Sequence, residues 1–250
     1  MRWIYLSPHF DDAVLSCGGL IWEQAQAGMP VEIWTIFAAD PPPGPLSEFA
    51  KENHALWGVN GGREIVAMRR DEDREAARLV GAKLVHFDFT DCIYRRSPEG
   101  EYLYNESVFD PPHPSDRDLP GQIAKALEPR LRAEDVVACP LTLGGHVDHV
   151  LVRQAAESLR MAQYYYADVP YVVKYPQTLD PMIAELQSEF FAISEAGFLA
   201  WLKGVRAYKS QLSSLYDNQE VLEGALHAYW EGQRGIRLWC VDQSKGSLSA

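Results

Sequence analysis

Within its first forty residues the chain passes from a short apolar run, Trp3-Ile4-Tyr5-Leu6, through a longer amphipathic stretch to a second short run, Val31 to Phe37. Such runs, rich in aromatic and β-branched side chains, are too short for helices and suit strands. Between them, Val14, Leu15, Cys17, Ile21 and Trp22 fall on one helical face over Val14 to Ala27, and Gly28 supplies a C-terminal cap. Strand, helix and strand in this order make a βαβ unit, whose two strands run parallel. A parallel sheet of this kind is covered by helices, and that restricts the fold more than any other feature of the sequence.

The alternation continues along the chain. Helices are predicted over Leu46 to Trp57, Glu64 to Val80, Ile123 to Leu131 and Val147 to Ala162, with strands at Lys83 to Phe87 and Asp135 to Cys139. Further on, Tyr164 to Tyr166, Tyr171 to Val173, Phe190 to Ile193 and Ile236 to Trp239 read as strands, and Phe198 to Leu215 and Glu220 to Trp230 as helices. The segment 97–120, with SPEG and DPPHPSD, holds too many breakers for a long element, and a loop of that length usually serves as a lid or binding loop. No repeat and no linker divides the chain. The expectation is a single α/β domain over residues 1–250, Rossmann-like, with a mostly parallel β-sheet flanked by helices.

Charge narrows the partners. Twenty-three Lys and Arg against 35 Asp and Glu leave a formal charge of −12 with no basic run, so nucleic acid and anionic membrane surfaces are excluded as natural partners. No apolar run reaches the roughly 18 residues of a membrane span. The apolar start before Asp11 is too short for a signal peptide, and the four cysteines lie far apart without a CxxC pair. A cytoplasmic chain with reduced thiols is the expectation.

Two clusters carry the chemistry, and each directly follows a strand and precedes a helix. The first is Pro8-His9-Phe10-Asp11-Asp12; the second is Gly144-Gly145-His146-Val147-Asp148-His149. Ligands bind at the carboxyl ends of parallel strands, so the two loops can share one crevice. His146 and His149, three residues apart, project from one side of a helical first turn, and His9 and Asp12 have the same spacing. A catalytic zinc takes three protein ligands and keeps one position open, a role that His9, Asp12 and His149 would fill. For either cluster alone, helix capping by the acids and a solvated turn for the histidines explain the residues equally well. Two such clusters at equivalent strand ends favour a site. Gly18-Gly19 comes too late after the first strand for a phosphate loop, and no GxGxxG follows it.

These motifs resemble the zinc-dependent N-acetylglucosaminyl deacetylases of the PIG-L or LmbE-like group. The likeness rests on PHFDD at 8–12 and HVDH at 146–149, supported by RRDEDREAARLVG at 69–81, FTD at 89–91 and YKSQ at 208–211. It implies His9, Asp12 and His149 as metal ligands and Asp11 as the general base. It further implies that His146 stabilises the oxyanion with Asp148 orienting it, and that Arg69 and Asp91 hold sugar hydroxyls. The cofactor implied is zinc, with iron(II) suited to the same set; the partner is a small-molecule amino-sugar conjugate, and the family allows a homo-oligomer. Some relatives carry a tyrosine two residues before the oxyanion histidine, where this chain has Gly144. An ion pair between Arg69 and Asp73 is the competing reading of Arg69, and a plain turn that of Asp91. Trp57, Tyr102, Tyr104 and Phe109 are candidates for an aromatic wall beside the crevice. Two other functions fit parts of the pattern: a non-haem iron oxygenase using His9, Asp11 and His149 on a jelly roll, and a sugar-binding relative without catalysis.

Overall fold

The computed structural model describes residues 1–58, 61–159, 161–211 and 218–241. Seven strands form one sheet: β1 Trp3–Ser7, β2 Val31–Thr35, β3 Lys83–His86, β4 Val136–Pro140, β5 Ala162–Tyr166, β6 Leu186–Ala192 and β7 Gly235–Val241. Their spatial order is β3-β2-β1-β4-β5-β7-β6, parallel from β3 to β5, with β7 antiparallel to both its neighbours. Every residue of β1, β2 and β4 is buried, which is why these runs are mostly apolar rather than strictly alternating; the polar exceptions Ser7, Glu32 and Thr35 are hydrogen-bonded.

The helices are α1 Asp12–Gln26, α2 Glu48–Leu56, α3 Gly62–Val80, α4 Leu119–Leu127, α5 Val147–Ser158, α6 Tyr171–Lys174, α7 Leu179–Ile183 and α8 Glu195–Arg206, followed by Gln219–Glu231. Parallel crossovers share one hand as a rule, and β1-α1-β2 and β4-α5-β5 step in opposite directions along the sheet. Helices α1 and α5 therefore cover opposite faces, α1 with α3 and α8, and α5 with α4. Gly18 and Gly19 belong to the first of these packings. A Cβ on Gly18 would stand 2.5 Å from Trp201 Cδ1, so the glycine lets α8 approach until Trp201 Nε1 donates to Val14 O at 2.7 Å.

Three differences from the sequence reading have local causes. Tyr171 to Val173, expected as a strand, is the helix α6: the chain turns at once after Asp168, with Val172 N–H donating to Asp168 O and Lys174 N–H to Pro170 O. Helix α4 begins at Leu119 rather than Ile123, because Pro120 sits in its first turn, where a proline costs no hydrogen bond. The helix predicted over Phe198 to Leu215 ends at Arg206, and residues 212–215 of that prediction lie outside the described residues. The segment 97–118 holds only the short turn Pro114–Asp116 and an isolated bridge from Tyr102 to Arg96, as its breakers imply, and residues 119–120 already belong to α4.

Candidate active site

The strand order reverses between β1 and β4, which are hydrogen-bonded neighbours, and this is the switch point where an open parallel sheet leaves a crevice. Both motif loops leave the sheet there. Of the eight residues singled out in the sequence, seven line one pocket of about 160 Å³: His9, Asp11, Asp12, Arg69, Asp91, His146 and His149. Asn53, Trp57, Tyr171 and Gln211 contribute to the same wall.

The start of α1 shows how the acids are freed. Ser7 Oγ accepts the N–H of Ala13, and Asp12 Oδ2 accepts that of His9 at 2.7 Å. Asp11, although at the N-cap position, makes no side-chain capping bond. Capping by Asp11 is thus not what the structure shows.

Asp12 lies between two imidazoles, with Oδ2 3.3 Å from His9 Nδ1 and Oδ1 3.3 Å from His149 Nε2. The outward nitrogen of each ring is tied back by another buried acid: His9 Nε2 to Asp148 Oδ2 at 3.0 Å, and His149 Nδ1 to Asp168 Oδ1 at 2.7 Å. Carboxylate behind imidazole is the arrangement that orients metal-ligating histidines. Ring nitrogens of His9, His146 and His149 also lie within 4.8 Å of one another.

Asp148 is placed differently from the sequence expectation. Its backbone N–H donates to His146 Nδ1 at 3.2 Å, but its carboxylate serves His9 and accepts from Arg95 Nη1 at 2.6 Å and Cys92 N at 3.0 Å. Arg95 in turn donates to Asp116 Oδ2 at 2.9 Å, joining the long loop to the site. His146, receiving an N–H at Nδ1, carries its own proton on Nε2 when neutral. That leaves one ring donor for a ligand.

The electrostatics separate these groups. Burial drives the Asp11 carboxyl up and the adjacent Asp12 charge adds to it, against Arg69 and His9, so its pKa rises to about 6. Burial acts on Asp12 in the same direction, but His149 and His9 outweigh it and hold Asp12 well below the usual range. His149 is pushed up to about 10, because Asp12 and Asp168 overcome the effect of burial, and His9 is raised by Asp12, Asp148 and Asp91 in the same way. His146 goes the other way: burial, then the charges of His9 and His149, keep it neutral. Carboxylates that favour a proton on His9 and His149 favour a divalent cation in its place.

Arg69 does not pair with Asp73. Asp73 accepts from Thr35 Oγ1 and Tyr208 and meets His86, while the Arg69 guanidinium lies over the rings of Trp57 and Phe10 at 4.6 and 5.1 Å and 3.7 Å from Asp11 Oδ1. Asp91 caps the turn Cys92–Tyr94 and still faces the pocket, 3.9 Å from His9 Nε2. The aromatic wall is only partly as expected. Trp57 lines the pocket, and Phe109, 54% exposed, meets the rings of His146 and Tyr171 edge-on. Tyr104 is buried against Asp116 and Tyr102 stacks with Arg96, so both tie down their loop.

Asp168, Arg95 and Tyr171 were not singled out from the sequence. Asp168 had one usable signal, an acid just past the carboxyl end of a strand. The jelly roll required by the iron-oxygenase reading is absent, since the strands around the site are parallel.

Comparison with known proteins agrees with this geometry. Residues 4–159 match the PIG-L family, described as GlcNAc-PI de-N-acetylase. The 2'-N-acetylparomamine deacetylase of Niallia circulans is 27% identical over 271 residues, covering 96% of this chain and 94% of its own. The zinc-inhibited form of teicoplanin deacetylase Orf2 superimposes with a TM-score of 0.82 at 27% identity, over 96% of this chain and 97% of that one. A deacetylase–teicoplanin complex gives 0.79 at 26% identity, with 96% and 97% covered. The family match spans more than half of the sequence and includes both strand-end clusters, and the chain belongs to the PIG-L family of deacetylases.

Proposed function

We propose that this protein is a zinc-dependent deacetylase that removes the N-acetyl group from an N-acetylglucosamine-type amino sugar within a larger conjugate. The observation that carries the reading is the placement of Asp12 between His9 Nδ1 and His149 Nε2, with the far side of each ring held by a carboxylate. Two nitrogens and one carboxylate suit zinc, and iron(II) fits the same set. His146 is the weaker candidate for a ligand, because no carboxylate holds its Nδ1 and the Asp148 amide leaves it a donor at Nε2. A metal bound there supplies Lewis acidity toward water and the acyl oxygen.

The chain's own residues do the rest. Asp11, raised to about 6, is ionised at neutral pH yet basic enough to take a proton from the attacking water. His146 Nε2–H donates to the acyl oxygen as it becomes negative, a contact worth roughly 100-fold or more in rate for a preorganised donor. The proton held by Asp11 then passes to the departing amine, since His146 is kept neutral and has no spare proton. Arg69, with Asp91, is placed to hold sugar hydroxyls and keeps Asp11 ionised. Nothing in this scheme needs nucleic acid or a membrane, and no helix among the described residues is long and apolar enough to cross one. Cys17, Cys92 and Cys139 are buried thiols, and the reading includes a cytoplasmic location.

The test is product analysis after metal removal. Chelated protein should release neither product from 2'-N-acetylparomamine or N-acetylglucosaminides, and zinc should restore equimolar acetate and free amine. Failure of the zinc-loaded protein to release acetate from every member of such a panel contradicts the reading.

A further inference from the structure

Gly144 is needed for two separate reasons. Its φ of +84° lies in the region where glycine is favoured, and a Cβ there would stand 2.4 Å from Cδ1 and 2.5 Å from Cε1 of Tyr171. The next residue, Gly145, shares the backbone requirement at φ +74°, but nothing lies within 4 Å of its would-be Cβ. The space above residue 144 is therefore occupied by one particular side chain.

Among the described residues Tyr171 is the only tyrosine lining the pocket. The phenols of Tyr5, Tyr104, Tyr166 and Tyr208 donate to Gln24, Asp116, Leu6 O and Asp73, and Tyr94 bonds His54. Tyr171 is half-buried, and among the described residues its hydroxyl has no such partner, which leaves it open to a ligand in the pocket. Burial and the charges of Asp12, Asp168 and Asp11 raise its pKa, so it stays protonated in the field of the site's acids. Phe109 meets both this ring and His146, at centroid distances of 6.2 and 6.0 Å, and Tyr171 and His146 line one pocket.

We propose that Tyr171 is a further catalytic residue, whose hydroxyl donates a hydrogen bond to the acyl oxygen alongside His146 as that oxygen becomes tetrahedral, and that Gly144 is glycine to admit its ring. No O–H bond breaks in this role. The assignment rests on the deacetylase reading, but one readout does not need turnover. Methylphosphonate is a tetrahedral anion shaped like hydrated acetate, and its affinity for zinc-loaded protein can be measured by calorimetry. Tyr171→Phe should weaken methylphosphonate about tenfold and planar acetate less than about twofold, and should lower kcat by about 100-fold with KM and zinc content unchanged. Gly144→Ala should displace the ring and cost a similar factor in kcat, with no added loss when combined with Tyr171→Phe. Methylphosphonate bound equally by wild type and Tyr171→Phe, or by neither, overturns the role of Tyr171. Absence of acetate release from wild type counts instead against the deacetylase reading and leaves that comparison decisive.

Discussion

Asp11 and Asp12 are the same side chain one peptide bond apart, and the fold shifts their pKa values in opposite directions. Asp12 points between two imidazoles that hold it far below the ordinary range, whereas Asp11 is raised to about 6 by burial and by Asp12 itself. Asp11→Asn should therefore lower kcat by about 100-fold or more with zinc retained, while Asp12→Asn should lose the zinc; metal analysis beside kinetics separates the two. Equal metal loss in both would show that the roles are wrongly divided. The base works as a carboxylate, so a raised pKa means that kcat/KM falls as pH drops below about 6. Arg69, 3.7 Å away, lowers that pKa, and Arg69→Met should shift the acid limb to higher pH. Asp168→Asn should weaken zinc binding by about 10- to 100-fold, as loss of a carboxylate behind a ligating histidine does, measurable by competition with a chelator.

Among the elements, the long loop is the one most closely joined to the chemistry. Val108 O accepts the first free N–H of α5 from Val147 at 2.8 Å, and Phe109 stands exposed beside His146. Phe109→Ala should raise KM about fivefold for a conjugate with a bulky aglycone and leave free N-acetylglucosamine nearly unchanged, since binding energy remote from the amide is lost. An unchanged preference between the two substrates would remove Phe109 from substrate selection. The buried strands β1, β2 and β4 were readable because both faces are covered and the run must be mostly apolar. Tyr171 to Val173 misled because a β-branched run predicts a strand only where a sheet position awaits it, and here the backbone turns onto Asp168 O instead. The motif acids and histidines were readable because spacing after a strand fixes where they emerge. Side-chain direction is not encoded that way: nothing local tells that Asp148 turns to His9 and Arg95, or that Tyr104 points inward while Phe109 points out.

At the scale of the whole molecule, the site depends on β1 and β4 remaining neighbours. At the opposite, amino end of these strands the buried Arg2 donates to the buried Asp135 and Glu32, the latter at Oε1 at 3.0 Å, and to Arg130 O at 2.8 Å. Arg2→Met would leave Asp135 without its cation and Glu32 with Lys83 alone, and should cost about 2 kcal/mol in denaturant unfolding. Burial alone would raise both acids, yet hydrogen bonds from Arg2 to both, and from Trp34 to Glu32, hold them below their usual values. Their stabilisation is therefore present above the unfolded-state pKa and lost as pH falls through the lower folded values, so acid unfolding of wild type should be steeper than that of Arg2→Met. The central claim is that the two strand ends meet to hold one catalytic metal. Anomalous diffraction at the zinc edge from crystals of zinc-loaded protein tests it most directly. A single strong peak at about 2.0–2.2 Å from His9 Nδ1, His149 Nε2 and an Asp12 oxygen is the predicted result, and a peak elsewhere, or none in that pocket, would contradict it.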